Sequence, residues 1–362
     1  MKGDKQSCGP EDGASRARQL LQPGRRSLLR LGVSGGMLAG AGILPGVIGS
    51  AWAQGGKTPE FKLKFGHPYN VKHPLAKGAE KFAGLLAERT GGAVQVDVYP
   101  NSTIGSSQAL VNGMQMGAVD IALVPTTDVA TFYDPLDVFY LPFIFSDSAH
   151  AYRFADGAAA KGLYEEMRSR TGIRYLAMME SGFRTITTRA TAVRAPDDLK
   201  GLKMRVPNNP INIATFRALG ANATSMALSE VFTALQQGTV DGQDNPIGNV
   251  YSFGFYKVQG YETLSNHQWA GIMFLISDAK FAALPADVQK VVAEAAKESQ
   301  DWERAELQRE NGNYLDLMRK EGLQVIDLND DERARFRAKT KTVVEEFGKG
   351  LSRELIDSAV KA

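Results

Sequence analysis

Phe61-Lys62-Leu63-Lys64-Phe65, Pro74 to Thr90, Val94-Gln95-Val96-Asp97-Val98, Gln108 to Met116 and Val119 to Val124 read in that order as strand, helix, strand, helix, strand. In the first strand apolar residues take every second position and lysines the others, the period of a half-buried strand. The helix after it sets Leu75, Ala79, Phe82, Leu85 and Leu86 on one face and closes at Gly91-Gly92. A βαβαβ run calls for a largely parallel sheet with helices on its faces, and for a binding crevice at the carboxyl ends of the strands.

The scheme recurs downstream. Gly201 to Val206 reads as a strand and Pro210 to Leu219 as a helix; Ser229 caps a further helix that runs through Gln237 and stops at Gly238. Gln115-Met116-Gly117-Ala118-Val119-Asp120 and Gln236-Gln237-Gly238-Thr239-Val240-Asp241 share the pattern Gln-x-Gly-x-Val-Asp, in which a helix ends, glycine supplies a left-handed cap and a buried strand follows. Two copies of one unit predict two similar lobes with a cleft between them. A third feature, a helical pattern from Pro285 to about Glu321, is either one helix on the order of 55 Å long that spans both lobes, or two helices broken at Gly312.

The 362 residues allow two domains, and 43% hydrophobic residues suffice for a core. A net charge of +2 and aromatics not clustered with arginines argue against nucleic acid as a partner. A single cysteine, Cys8, excludes an intramolecular disulfide and a cysteine-based zinc site. Residues 1–53 have the order of an export signal: Arg25-Arg26-Ser27-Leu28-Leu29-Arg30, a weakly apolar stretch from Leu31 to Ile48, and the small-x-small site Ala51-Trp52-Ala53. The arginine pair resembles a twin-arginine signal, with Gly24 where Ser or Thr is usual. Glycines and Pro45 dilute the stretch below what a membrane anchor needs. Cleavage after Ala53 removes seven basic and three acidic residues, so the net charge moves from +2 to −2.

No catalytic constellation emerges. Gly32-Val33-Ser34-Gly35-Gly36 fits a nucleophile elbow but sits inside the export segment, and Gly56-Lys57-Thr58 lacks the preceding strand of a phosphate loop. His67, His73, His150 and His267 have no metal-ligand spacing. Cationic residues at strand ends are more informative. The period of two in Leu202-Lys203-Met204-Arg205-Val206-Pro207 sets Leu202, Met204 and Val206 on one face and Arg205 on the other, emerging at the crevice where Pro207 ends the ladder. A guanidinium there grips a carboxylate through two parallel hydrogen bonds, or is an ordinary surface arginine, or pairs with a neighbouring acid. Arg184, in Ser181-Gly182-Phe183-Arg184-Thr185, is read in the same way. Asn245, in the run from Val240 to Pro246, reads a ligand hydroxyl or carboxylate, or caps its turn.

Gly201-Leu202-Lys203-Met204-Arg205-Val206-Pro207, Leu219-Gly220-Ala221, Ser229 to Gln236 and Val240 to Pro246 closely resemble the substrate-binding proteins of tripartite ATP-independent periplasmic (TRAP) transporters, over roughly Phe61 to Phe347. The resemblance implies an α/β, two-lobed, hinged fold like that of type II periplasmic binding proteins, with a long helix across both lobes. Its expected lobes are residues 54–182 with about 271–310, and 183–270 with about 311–362. It implies no enzyme activity, no cofactor and a monomeric mature protein in the periplasm that passes a small organic acid to a membrane permease. Carried over, Arg205 is the carboxylate-gripping arginine, Arg184 a second cation and Asn245 a polar pocket residue; Asn209, Phe232, Gln243, His67 and Asn70 are further expected pocket positions. The loop Ile104 to Gln108 lacks the acidic residues common in the family, and Asp244 stands where Glu is common. The favoured ligand is a monocarboxylic sugar acid or hydroxy acid, with a C4-dicarboxylate or an aromatic or keto acid as the alternative; an exported enzyme or a ligand sensor are the competing classes.

Overall fold

The computed structural model describes residues 58–362; the expected export segment, Cys8 included, lies outside them. The alternating lysines and apolar residues form β1 (Phe61–Gly66), which buries Leu63 and Phe65. It is followed by α1 (Pro74–Arg89), β2 (Val94–Tyr99), α2 (Ser107–Gln115), β3 (Ile121–Pro125) and α3 (Thr126–Ala130). Two helices, α4 (Ser148–Ala155) and α5 (Ala158–Thr171), lead to the 16-residue strand β4 (Ile173–Thr188). The second unit is β5 (Lys203–Val206), α6 (Pro210–Ala218), β6 (Asn222–Ser225), α7 (Val231–Gln237), β7 (Gly242–Pro246) and α8 (Ile247–Ser252). The chain then forms β8 (Tyr261–Leu264), β9 (Trp269–Ser277), α9 (Asp278–Ala283), α10 (Ala286–Lys320), β10 (Gln324–Asp327), α11 (Asp330–Phe347) and α12 (Arg353–Lys361).

The strands run in the order β2-β1-β3-β9-β4-β7-β5-β6, with β8 also on β4 and β10 beside β8. Each unit is parallel within itself, β1 between β2 and β3 and β5 between β6 and β7. The largely parallel sheet is interrupted where β4 and β9 run antiparallel to their neighbours. β4 carries the chain from one lobe to the other: it pairs with β9 over Ile173 to Phe183, then with β7 and β8 from Arg184 onward. A bulge between Glu180 and Gly182 marks the change, and Gly182 takes a φ of 104° that a side chain would strain.

Both expected glycine caps are present, Gly117 and Gly238 each at φ 73°. The echo also has a hydrogen-bonding basis. Asp120 accepts from Lys64 N at 2.8 Å and its own N–H donates to Lys64 O; Asp241 does the same with Lys203, again at 2.8 Å through the carboxylate. One expected cap differs. Ser229 lies inside a 3-10 turn, Leu228–Glu230, and α7 starts after it without a side-chain cap; Glu230 instead bonds back to Ala227 N and stabilises the turn.

α10 is one helix of 35 residues, about 52 Å long, and Gly312 does not break it. Gly312 is exposed with nothing near it, and Tyr314 just beyond stacks on Tyr251 at 4.5 Å, so packing on either side holds the helix. Val292, Ala295 and Ala296 pack with Leu63, Phe65 and Phe82 in the first lobe, whereas Met318 packs with Val231, Leu235 and Phe255 in the second. Midway, α10 covers the edge of β4 that lies opposite β9. Gln300 Oε1 accepts from Met178 N, Glu303 Oε2 from Glu180 N, and Arg304 Nε donates to Met178 O. Strand-edge groups that would otherwise lack partners are thereby satisfied by side chains of a helix. Among the described residues no helix is long and apolar enough to cross a membrane.

Candidate functional site

A cavity of about 240 Å³ opens where the ends of β1, β3 and β5 face the crossover in β4. Three of the residues expected there, Arg205, Arg184 and Asn245, line it. Arg205 reaches it because Met204 and Val206 on the opposite face of β5 are anchored in a core with Phe216 and Phe336. Arg184 lies inside a strand, just past the bulge, and not at a strand end as its sequence context had implied.

The two arginines differ in how their charge is met. Arg184 Nε donates to Asp244 Oδ2 at 2.5 Å and Nη2 to the Asp244 carbonyl at 2.6 Å. Burial alone would lower the Arg184 pKa, but the adjoining carboxylate more than offsets this and raises it. Burial would likewise raise the pKa of Asp244, yet Arg184 and then His267 hold it well below the ordinary carboxylate range. His267 Nε2 lies 3.4 Å from Asp244 Oδ2, with Ser265 Oγ at 2.8 Å from Nδ1.

Arg205 is 3% exposed and makes no ion pair among the described residues. Its Nε and Nη2 both donate to the Met226 carbonyl, at 3.0 and 2.6 Å, which orients the guanidinium and leaves the Nη1/Nη2 edge available. Burial pulls its pKa down to about 10; Asp244 and Asp128 counter this only in part, and Arg184 adds to it. It stays cationic at neutral pH. A buried cation without an ion-pair partner is costly, and an anion binding to the open edge relieves that cost.

Asn245 is held in an amide ladder: its Nδ2 donates to Gln243 Oε1, its Oδ1 accepts from Asn249 Nδ2 at 3.0 Å, and Gln243 Nε2 donates to Thr187 Oγ1 at 2.9 Å. The other expected residues do not line the cavity. Gln243 stands behind Asn245, and Asn209 caps α6 by accepting from Ile211 N while donating to Asp137. Phe232 packs in the apolar cluster around Val231 and Phe255. His67 lies between the rings of Phe65 and Tyr69, and burial drives its pKa down to about 4. Asn70 closes a turn by accepting from Lys72 N. A position after a strand end is where a ligand group is expected, but it is equally where the next helix needs its cap.

Residues the sequence did not single out complete the wall. Tyr69 Oη, Thr127 Oγ1, Tyr140 Oη and Ser181 Oγ all belong to lining residues and are buried without a hydrogen-bond partner among the described residues. Ser106, Ser107 and Gln108 at the start of α2 also line it, from the loop that lacks acidic residues. Asp128, in α3, brings a carboxylate to the same space; burial pushes its pKa up to about 6, against the pull of Arg205, the Ser107 hydroxyl and Arg184. Asp128 follows Asp120 at the distance by which Asn249 follows Asp241, so the echo, extended along both copies, would have pointed to this pair. Among the described residues no group of His, Cys, Asp and Glu has the makings of a metal site.

Residues 65–350 match the bacterial extracellular solute-binding proteins of family 7, DctP. The 2,3-diketo-L-gulonate-binding periplasmic protein YiaO of Escherichia coli (strain K12) is 33% identical over 264 residues, 73% of this chain and 80% of that protein. The C4-dicarboxylate-binding periplasmic protein DctP of Rhodobacter capsulatus is 35% identical over 83% of this chain and 90% of its own length. The crystal structure of the sugar acid binding protein of Advenella mimigardefordensis strain DPN7T, in complex with galactonate, superposes with a TM-score of 0.80 at 32% identity, covering 83% of this chain and 98% of that one. The doubled unit, the crossover strand and the long helix are therefore a shared architecture, and the chain belongs to the DctP-type solute-binding proteins of TRAP transporters.

Proposed function

We propose that the protein is an extracytoplasmic solute receptor that closes its two lobes on a monocarboxylic sugar acid or hydroxy acid and hands it to a TRAP permease for ion-gradient-driven uptake. In this reading it works in the periplasm as a monomer, after export through the twin-arginine machinery and cleavage of residues 1–53, and it has no enzymatic step. The observation that carries it is the inequality of the two arginines: one buried guanidinium is already neutralised by Asp244, and one, Arg205, is not. One cation without an ion pair among the described residues matches one carboxylate, and the unpartnered hydroxyls of Tyr69, Thr127, Tyr140 and Ser181 match a ligand rich in hydroxyl groups. Expelling water on closure strengthens the arginine–carboxylate attraction, so the ligand favours the closed population.

The second reading is a C4-dicarboxylate receptor. It is favoured by the position of Arg184, which also lines the cavity and keeps Nη1 free of hydrogen bonds to described residues. A thermal-shift screen of the protein against sugar acids, dicarboxylates, keto acids and aromatic acids separates the two. A ligand at about 100 times its Kd adds roughly 2.7 kcal/mol of stability. The expected outcome is a shift with sugar or hydroxy acids; a shift with dicarboxylates alone replaces the first reading by the second.

A further inference from the structure

Resting on that reading of the cavity as a carboxylate receptor anchored at Arg205, we infer that Asp128 is its specificity-determining residue, admitting acids that present hydroxyl groups to it and rejecting dicarboxylates. Asp128 stands on α3 in one lobe, whereas Arg205 and Arg184 stand on β5 and β4 where these strands build the other. Asp128 and Arg205 line one cavity, and Arg205 is the cation that acts most strongly on Asp128, so a ligand whose carboxylate lies on Arg205 brings the groups next to that carboxylate beside Asp128. An ionised carboxylate only accepts hydrogen bonds: a hydroxyl satisfies it and a second carboxylate repels it.

The repeat sharpens the point. The counterpart of Asp128 in the second unit is Asn249, whose amide is committed to Asn245 at 3.0 Å. Among the described residues Asp128 has no comparable amide partner; the Ser107 hydroxyl beside it is its neighbour on the cavity wall. The charged and titratable groups that face it are Arg205, Arg184, Tyr69 and Tyr140, and both tyrosines have raised pKa values. At neutral pH the two arginines are thus the only charged groups among them. With the carboxyl poised near pH 6, protonation makes Asp128 a hydrogen-bond donor and removes the repulsion of a second carboxylate.

The test is calorimetric titration of the wild type, Asp128→Asn and Asp128→Ser with galactonate and with succinate at pH 8 and pH 5. At pH 8 the wild type is expected to prefer galactonate. Asp128→Asn is expected to weaken galactonate and strengthen succinate, each by about tenfold. Lowering the pH is expected to move the wild type toward succinate by more than it moves Asp128→Asn, whose smaller change records the protonation of succinate itself; equal changes in the two proteins overturn the inference. Asp128→Ser, with its melting temperature recorded, guards against a folding defect in a single variant. If Asp128 only balances the charge of Arg205, both variants bind both acids more tightly by the same factor, and the inference is overturned while the receptor reading stands. If the wild type shows no preference for galactonate over succinate, the inference is likewise overturned, while the receptor reading is decided by the wider thermal-shift screen.

Discussion

Laid over one another by their backbone bonds, the two βαβαβ units agree in scaffold and disagree in content. Asp120 and Asp241 grip Lys64 and Lys203 in the same way, and Pro74 and Pro210 open their helices behind caps in which His73 Nδ1 accepts from Leu75 N and Asn209 Oδ1 from Ile211 N. In the register this sets, Gly66 corresponds to Arg205, and Ala122, Leu123 and Val124 correspond to Gln243, Asp244 and Asn245. The first unit fills these positions with apolar core. The second fills them with a guanidinium, a carboxylate and two amides. Caps, glycine turns and parallel pairing hold the backbone without help from the side chains between them, so one copy is free to carry the polar chemistry while the other supplies hydroxyls and Asp128.

The comparison can be broken by exchange. Gly66→Arg puts into the first unit what the second carries; a Cβ there would already sit 2.4 Å from Leu110 Cδ2 and 3.0 Å from Ile104 Cδ1, so the side chain would start against apolar neighbours. A loss of about 4 kcal/mol or more in urea unfolding is expected. In the second unit Arg205→Ala removes a buried cation and is expected to cost about 3 kcal/mol of acid affinity, roughly a hundredfold, with the melting temperature of the ligand-free protein unchanged or raised. Calorimetry showing wild-type binding removes Arg205 as the anchor.

The caps differ in a way pH exposes. His73 is held neutral by burial, its pKa lowered to about 3, whereas Asn209 does not titrate. The unfolded chain takes up a proton below about pH 6.5 that folded His73 does not, so its contribution is present above that pH and lost as pH falls toward 3. His73→Asn, the cap of the second unit placed in the first, is expected to recover about 2 kcal/mol of the stability lost between pH 7 and pH 5. Urea midpoints at both pH values measure it. The smallest effect tests the symmetry itself: Asp120→Ala and Asp241→Ala each leave one strand N–H without its carboxylate, and losses of about 1 kcal/mol are expected, the larger at Asp120, which also pairs with Lys280 at 3.3 Å.

Where a local rule dictated the structure, the sequence showed it: the alternation of β1, the helical face of α1, the paired glycine caps and Arg205 opposite Met204 and Val206. Ser229 and Gly312 are where a local rule yielded to packing. β4 and β9 were hidden because both are buried through most of their length and so lack the polar alternation that marks a strand with one wet face. The first-lobe half of the cavity was hidden for another reason. Tyr69, Thr127, Tyr140 and Ser181 come from four separate segments with no charge or spacing to join them, and the fold alone brings them together. Asn209 and His67 looked like ligand residues because a cap or a ring behind the wall occupies the same kind of position as a group in front of it.

The side chains by which α10 covers the edge of β4 also decide how force passes between the lobes. Gln300, Glu303 and Arg304 rivet the helix to β4 at Met178 and Glu180, ahead of Gly182, while its far end is tied to the second lobe through Tyr314 and Met318. Between rivet and tie lie about ten residues, some 15 Å of helix. A turn of the second lobe against the first would bear on the bulge at Gly182 and would either shear Tyr314 off Tyr251 or flex that span. Gly312 lies inside it, with no side chain to resist bending. The glycine that does not break the helix is placed where a leaf spring would be thinned.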